Sequence, residues 1–141
     1  MKTKNFVSHT KIVGSISLLI ALTFQSNAQD NQSKLTSRLI TLDQASSSST
    51  KILHGPPETV TMRSGYMVLA PLKSVGKHST KDNEEAIVVL AGTGEMKIIG
   101  DSVLPLRPYC VSYCPPNTEH DVVNTGSDTL RYIYIVAKAI K

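Results

Sequence analysis

Short runs of valine, isoleucine and tyrosine, closed by glycine, proline or asparagine, dominate the chain from Lys51 onwards. Such residues are enriched in strands, and no long stretch has the apolar spacing that a helix requires. The runs predict eight strands: KILH, TVTM, YMVLAPL, EAIVVLA, EMKIIG, YCVSYC, HDVVN and LRYIYIVA. Between them, GPPE, RSG, GTG, PPNT and NTGSD supply residues that set or permit turns. The pattern predicts an all-β barrel or sandwich.

The first 28 residues have the pattern of a secretory signal peptide. Three lysines accompany the apolar run at 12–24, and the small residues Ser26 and Ala28 precede the expected cleavage point. The run has 13 residues, fewer than the roughly 20 that a bilayer-spanning helix needs. We therefore expect cleavage after Ala28, secretion into the periplasm or the extracellular space, and no membrane anchor afterwards.

The remaining 113 residues are enough for a single domain with its own core. We expect a polar N-terminal segment at 29–50, which contains the serine run ASSSST, followed by one barrel domain at 51–141. Three of the fifteen basic residues lie in the signal peptide, which leaves twelve against eleven acidic residues. This nearly neutral balance argues against a nucleic-acid partner.

The stretch GKHSTKDNEEAIVVLAGTGEM places a histidine shortly before a pair of carboxylates. Side chains two apart in a strand face the same way, so His78 and Thr80 share a face, whereas Glu84 and Glu85 point oppositely. His120 follows the turn PPNT and enters another strand. Two imidazoles and one carboxylate that converge from separate strands suit a divalent first-row metal ion.

This stretch resembles the first conserved motif of the cupin superfamily, in which glycine and His-x-His precede a glutamate and a later glycine. The corresponding residues are Gly76, His78, Thr80, Glu85 and Gly92. The family spacing of six residues before the last glycine selects Glu85 over its neighbour as the inward carboxylate.

The second cupin motif, Pro-x-Gly-x-x-His-x-x-x-Asn, is similar to the stretch containing Pro115, Asn117, His120 and Asn124. Asparagine replaces glycine at Asn117, where both residue types tolerate a left-handed turn. The two motifs together cover residues 76–124. The resemblance implies a small double-stranded β-helix (cupin or jelly-roll) barrel of two antiparallel sheets, a site in its mouth and a homodimer.

The resemblance also implies a metal centre with one departure from the family. Cupins typically hold a metal with three histidines and one glutamate, but Thr80 occupies the position of the second histidine. The remaining set is His78, Glu85 and His120, with water or substrate at the vacant fourth position. The implied cofactor is a divalent ion of iron, zinc, manganese or nickel. The alternative is a barrel that has lost the metal and keeps both histidines as hydrogen-bonded residues.

Three functions are compatible with this resemblance. The first is a metal-dependent enzyme of dioxygenase or isomerase type that acts on a small oxygenated compound, such as a sugar derivative or an organic acid. The second is a non-catalytic module that binds a small ligand. The third is a dimeric scaffold without metal, in which side chains such as Tyr132 or Val89 fill the cavity. No residue is identified as a separate general acid or base.

His54 is a further candidate ligand that could reach the site from a neighbouring strand, although an exposed edge position is the more ordinary use of such a histidine. Tyr132 and Tyr134 share one strand face, and only one face of that strand can line a cavity.

The two cysteines, Cys110 and Cys114, are about 13 Å apart if their strand is extended. A disulfide needs alpha carbons within about 7 Å. The same spacing argues against a zinc site formed by these thiols and His120. We expect buried thiols, with a broken strand or pairing between chains as alternatives.

Overall fold

The computed structural model describes residues 35–140, which form nine strands and no helix. The strands are β1 (Thr50–His54), β2 (Arg63–Leu69), β3 (His78–Ser79), β4 (Asn83–Ala91), β5 (Gly94–Ile98), β6 (Val103–Leu106), β7 (Val111–Cys114), β8 (Glu119–Val123) and β9 (Leu130–Lys138). The predicted signal peptide and the start of the polar segment lie outside the described residues. Within residues 35–140, no helix is long and apolar enough to cross a membrane.

The strands form two antiparallel sheets. One has five strands in the order β1-β2-β9-β4-β7, and the other has four in the order β3-β8-β5-β6. Buried side chains from both sheets form one apolar cluster. This architecture confirms the predicted all-β barrel.

Alternation along the strands determines which side chains enter the core. In β4, Glu85, Ile87 and Val89 are buried, while the residues between them are partly exposed. Five further members of the core are Met96, Leu106, Val122, Leu130 and Tyr132. Each fully buried aliphatic side chain contributes about 1.5–3 kcal/mol to folding. The same alternation therefore brings one carboxylate, Glu85, into the interior.

One of the eight predicted strands is absent, and the observed strand β6 was not among them. The TVTM run at 59–62 lies in bends after a turn, and no strand includes it. Conversely, β6 was missed because Pro105 lies inside it. Proline is tolerated in a strand at a sheet edge, and β6 is the edge strand of the four-stranded sheet.

The strand predicted at YCVSYC begins only at Val111, because Tyr109 has a positive φ of 67°. Cys110 therefore lies outside β7 and is half-buried, whereas Cys114 lies within it and is fully buried. Both cysteines are free thiols. The expected burial of both thiols is therefore correct for Cys114 and only partly correct for Cys110.

Candidate metal centre

Neighbouring strands of the smaller sheet bring the two candidate histidines together. His78 in β3 pairs directly with His120 in β8, and their ring centroids are 4.4 Å apart. Glu85 reaches the same point from β4 of the opposite sheet. One ligand atom from each of the three side chains lies within 4.8 Å of the other two. The three residues therefore converge at one place between the sheets.

His120 and Glu85 face each other in a buried environment. The exposed fraction of the His120 side chain is 0% and that of Glu85 is 6%, and His120 Nε2 lies 3.3 Å from Glu85 Oε2. By strict distance and angle limits, neither atom makes a hydrogen bond with any group among residues 35–140. The Glu85 carboxylate raises the pKa of His120 above its ordinary value, although burial opposes this effect. Buried polar atoms usually have a hydrogen-bond partner, and Glu85 Oε2 and His120 Nε2 are exceptions.

Backbone carbonyls determine which ring nitrogens are free. His120 Nδ1 lies 3.1 Å from the Thr118 carbonyl oxygen, and His78 Nδ1 lies 2.8 Å from the Gly76 carbonyl oxygen. A carbonyl accepts hydrogen bonds only, so a neutral ring carries its proton on Nδ1 and leaves Nε2 with a lone pair. Metal-binding histidines use this arrangement. The donor set therefore fits a divalent metal ion.

Glu84 points to the other side of β4, as the alternation predicted. Its carboxylate accepts a hydrogen bond of 3.1 Å from the Tyr113 hydroxyl, whose pKa is raised by this contact. Glu84 is half-buried, whereas Glu85 is buried. The choice of Glu85 as the inward carboxylate is therefore correct.

Comparison with known proteins agrees with this geometry. A family model for the cupin domain matches residues 65–136, which is just over half of the 141 residues and includes all three converging side chains. The chain belongs to the cupin family. No protein among the curated sequences matches it.

Solved structures of other cupins share the fold. A Cupin 2 conserved barrel domain protein from Salinispora arenicola has 22% identity and a TM-score of 0.60, over 74% of this chain and 91% of that chain. A protein with a double-stranded β-helix domain from Klebsiella pneumoniae has 17% identity and a TM-score of 0.58, over 73% and 91%. A predicted oxalate decarboxylase from Thermotoga maritima has 17% identity and a TM-score of 0.53, over 71% and 100%. At these identities the likeness establishes the fold alone.

Thr80, at the position of the missing cupin histidine, lies in the wall of the cavity together with His78 and Glu85. Its hydroxyl donates a hydrogen bond of 2.9 Å to the Asn83 carbonyl and so closes the turn before β4. The threonine therefore has a local structural role.

His54 lies exposed on the edge strand β1, outside the group of three. This agrees with the interpretation of His54 as an edge residue.

The cysteines do not form a metal group with His120. Cys114 Sγ lies 3.2 Å from His120 Nδ1. The other ring nitrogen, Nε2, is the one that faces Glu85. Among the described residues, the group able to hold a metal ion contains no cysteine. Cys114 therefore packs behind the imidazole of this cupin, and burial raises the pKa of its thiol.

Asp121 is a residue of the site that the sequence did not reveal. Its carboxylate accepts hydrogen bonds from the Ser74 hydroxyl, 2.7 Å to each oxygen, and from the Gly76 amide at 3.0 Å. The Gly76 carbonyl in turn holds His78. The available signal was the position of Asp121 directly after His120, which places it on the opposite face of β8.

The second cupin motif has structural roles besides supplying His120. Asn117 has a φ of 58°, which confirms the predicted left-handed turn. Asn124 is fully buried and donates to the carbonyls of Leu69 and Asp128, both at 2.8 Å. Asn124 therefore ties the loop before β9 to the end of β2.

A cavity of about 250 Å³ is lined by two of the candidate ligands, His78 and Glu85. Tyr132 and Tyr134 both line it, so the tyrosine face of β9 points inward. Burial is the main cause that raises the pKa of each phenol. Tyr132 borders the open space and Val89 lies in the core. These side chains leave the cavity open, whereas a filled cavity would have favoured the scaffold.

Proposed function

We propose that this cupin holds a divalent ion of iron, zinc, manganese or nickel through His78, Glu85 and His120, and binds a small oxygenated compound beside it. Two buried ligand atoms, Glu85 Oε2 and His120 Nε2, support the proposal most directly, because neither has a hydrogen-bond partner. Leaving buried polar atoms unpaired is costly, and a shared cation would offset the cost for both.

A bound divalent ion would supply Lewis acidity, which polarises a coordinated oxygen of the compound. The residues around it orient the two imidazoles and exclude bulk water. The Thr118 and Gly76 carbonyls hold the two imidazoles in the tautomer with a free Nε2. Burial of Glu85 and His120 keeps bulk water from one side of the site, while exposed His78 lies at its entrance.

Metal content measured by plasma mass spectrometry tests the proposal. The purified, untagged protein is reloaded separately with iron, zinc, manganese and nickel and is compared with the Glu85→Gln and His120→Ala variants. We expect near-stoichiometric uptake of at least one metal by the parent and at least a tenfold loss of affinity in each variant, since a ligand is removed.

The neighbouring carboxylate provides the control. Glu84→Gln changes the same kind of group on the same strand, but on the outward face. It should bind metal as the parent does. Negligible uptake of all four metals by the folded parent, or uptake that is unchanged in both ligand variants, would contradict the proposal.

A non-catalytic ligand-binding module is the second candidate. The described lining residues offer no ionisable group suited to proton transfer besides the candidate ligands, since the pKa of both phenols is raised. Ligand binding without turnover in the metal-loaded protein would favour this candidate over an enzyme.

Secretion and homodimer formation are further parts of the proposal. Residues 1–28 support secretion through their charged, apolar and small-residue pattern. The mass of the protein recovered from outside the cytoplasm tests cleavage after Ala28. Sedimentation tests the dimer, which rests on the resemblance alone.

A further inference from the structure

The cavity beside the candidate ligands has a composition that restricts what can bind. Its non-polar wall comes from both sheets and the loop before β3, through Met67, Val75, Val122 and Val136. No lysine or arginine is among the described residues that line it. The ionisable side chains of this lining are therefore His78, Glu85 and the two phenols, Tyr132 and Tyr134.

Tyr132 supplies a polar contact in this largely apolar space. Its exposed fraction is 3%, and it lies in the wall of the cavity. The negative charges of Glu85 and Asp121 add to burial in raising its pKa, so the phenol stays protonated. It is therefore available to donate a hydrogen bond to an oxygen of a ligand.

The size of the cavity sets a further limit. A volume of about 250 Å³ is below the range of roughly 300–1,000 Å³ that holds drug-sized ligands. A buried carboxylate without a cation is strongly disfavoured, and so is a buried hydroxyl without a partner. A second carboxylate would find no lysine or arginine in this lining, and the hydroxyls of a polyol would face a mostly apolar surface.

We infer that the cavity binds a small amphiphile with one oxygenated head beside His78, Glu85 and Tyr132 and an uncharged, apolar tail against the valines and Met67. The inference rests on the proposed function for the metal that the head approaches. It narrows the ligand class from sugar derivatives and organic acids in general to compounds with a single polar end.

Two probes of equal size test the class in the zinc-loaded protein. 4-Methylpentanoate and succinate each have eight heavy atoms and differ in whether the far end is an isopropyl group or a second carboxylate. Binding is followed by NMR shifts of the Met67 and cavity valine methyl groups, with xylose as a polyol probe. We expect 4-methylpentanoate to bind at least tenfold more tightly than either of the others.

A hydroxyl deletion tests the role of the head-group contact. Tyr132→Phe should weaken binding of 4-methylpentanoate roughly three- to tenfold, since one hydrogen bond is lost. Tyr113→Phe removes a hydroxyl from the outer face and should change nothing. Both variants should retain the parent melting temperature within a few degrees.

A metal-free arm separates failure of this inference from failure of the proposed function. With zinc removed, 4-methylpentanamide and succinamate form the same comparison with an uncharged head, which Glu85 does not repel. Preference for 4-methylpentanamide here would support the cavity assignment even if the protein took up no metal. Tighter or equal binding of succinate, succinamate or xylose, or no binding of the branched probes in either form, would overturn it.

Discussion

Asp121 holds the peptide of Gly76 through a hydrogen bond of 3.0 Å from the Gly76 amide to Asp121 Oδ1. The carbonyl of Gly76 contacts His78 Nδ1 at 2.8 Å, so the carboxylate acts on the histidine through one residue of backbone. Asp121 follows His120 directly but lies on the other face of β8. Strand β8 therefore supplies one candidate ligand and supports a second.

We predict that Asp121→Ala lowers metal affinity about tenfold or more, because residues that orient metal ligands typically contribute 10–100-fold. Asp121→Asn keeps an acceptor oxygen for the Gly76 amide and should recover part of the loss. Competition with a chelator of known affinity measures the effect. Asp101→Asn, on an exposed turn, is the control. Equal affinities of Asp121→Ala and the parent would contradict this role.

A second prediction concerns the stability of the metal-free protein against pH. Glu85 raises the pKa of His120 above 6.5 in the folded state. The folded state therefore binds this proton more tightly than the unfolded chain does. The stabilisation is fully present below pH 6.5 and is lost as the pH rises through the raised pKa. We expect the free energy of unfolding to fall across that window.

Urea unfolding at a series of pH values, with a chelator present, measures this fall. In Glu85→Gln the fall should be smaller, since the charge that raises the pKa of His120 is gone. Glu84→Gln should follow the parent. A stability that rises through the same window in the parent, with the rise removed in Glu85→Gln, would show that the sign is wrong.

A third prediction concerns Gly92, the last residue of the first cupin motif. Its φ is 77°, and a Cβ there would lie 2.5 Å from the Thr129 carbonyl oxygen. Gly100 has a similar φ of 81° but open space around the Cβ position. Gly100→Ala should cost about 1–2 kcal/mol from the left-handed backbone alone. Gly92→Ala should cost about 1–3 kcal/mol more from steric overlap.

Thermal and urea unfolding of the two alanine variants make this comparison directly. The shared backbone conformation makes Gly100→Ala a matched control for strain. Equal losses of stability in the two variants would show that the contact between Gly92 and the chain before β9 has no energetic effect.

A fourth prediction concerns thiol reactivity. Cys114 is completely buried and burial raises the pKa of its thiol, whereas Cys110 is half-buried outside the strand. Native protein should therefore react with a thiol reagent at Cys110 and not at Cys114, while unfolded protein should react at both. Mass spectrometry of labelled peptides measures this. Cys110→Ser should be unlabelled in the native state, and labelling of Cys114 at the same rate as Cys110 would contradict the prediction.

Much of the site followed from local spacing. Alternation in EAIVVLA sends one of two adjacent glutamates inward, and the motif spacing selects Glu85. The left-handed turn at Asn117 also followed, because asparagine tolerates that conformation. In contrast, β6 was hidden by Pro105, since only its place at a sheet edge makes a proline acceptable there.

The strand-forming runs followed from the sequence, because strand periodicity and turn chemistry act over a few residues, and the resemblance to the cupin motifs selected Glu85 and the two histidines. The tertiary structure decided which distant groups meet. The contact of Cys114 with His120 and the support of His78 by Asp121 join residues on separate strands or loops. The apolar lining likewise depends on how two sheets pack. Such contacts arise from strand register and sheet packing, which no local pattern specifies.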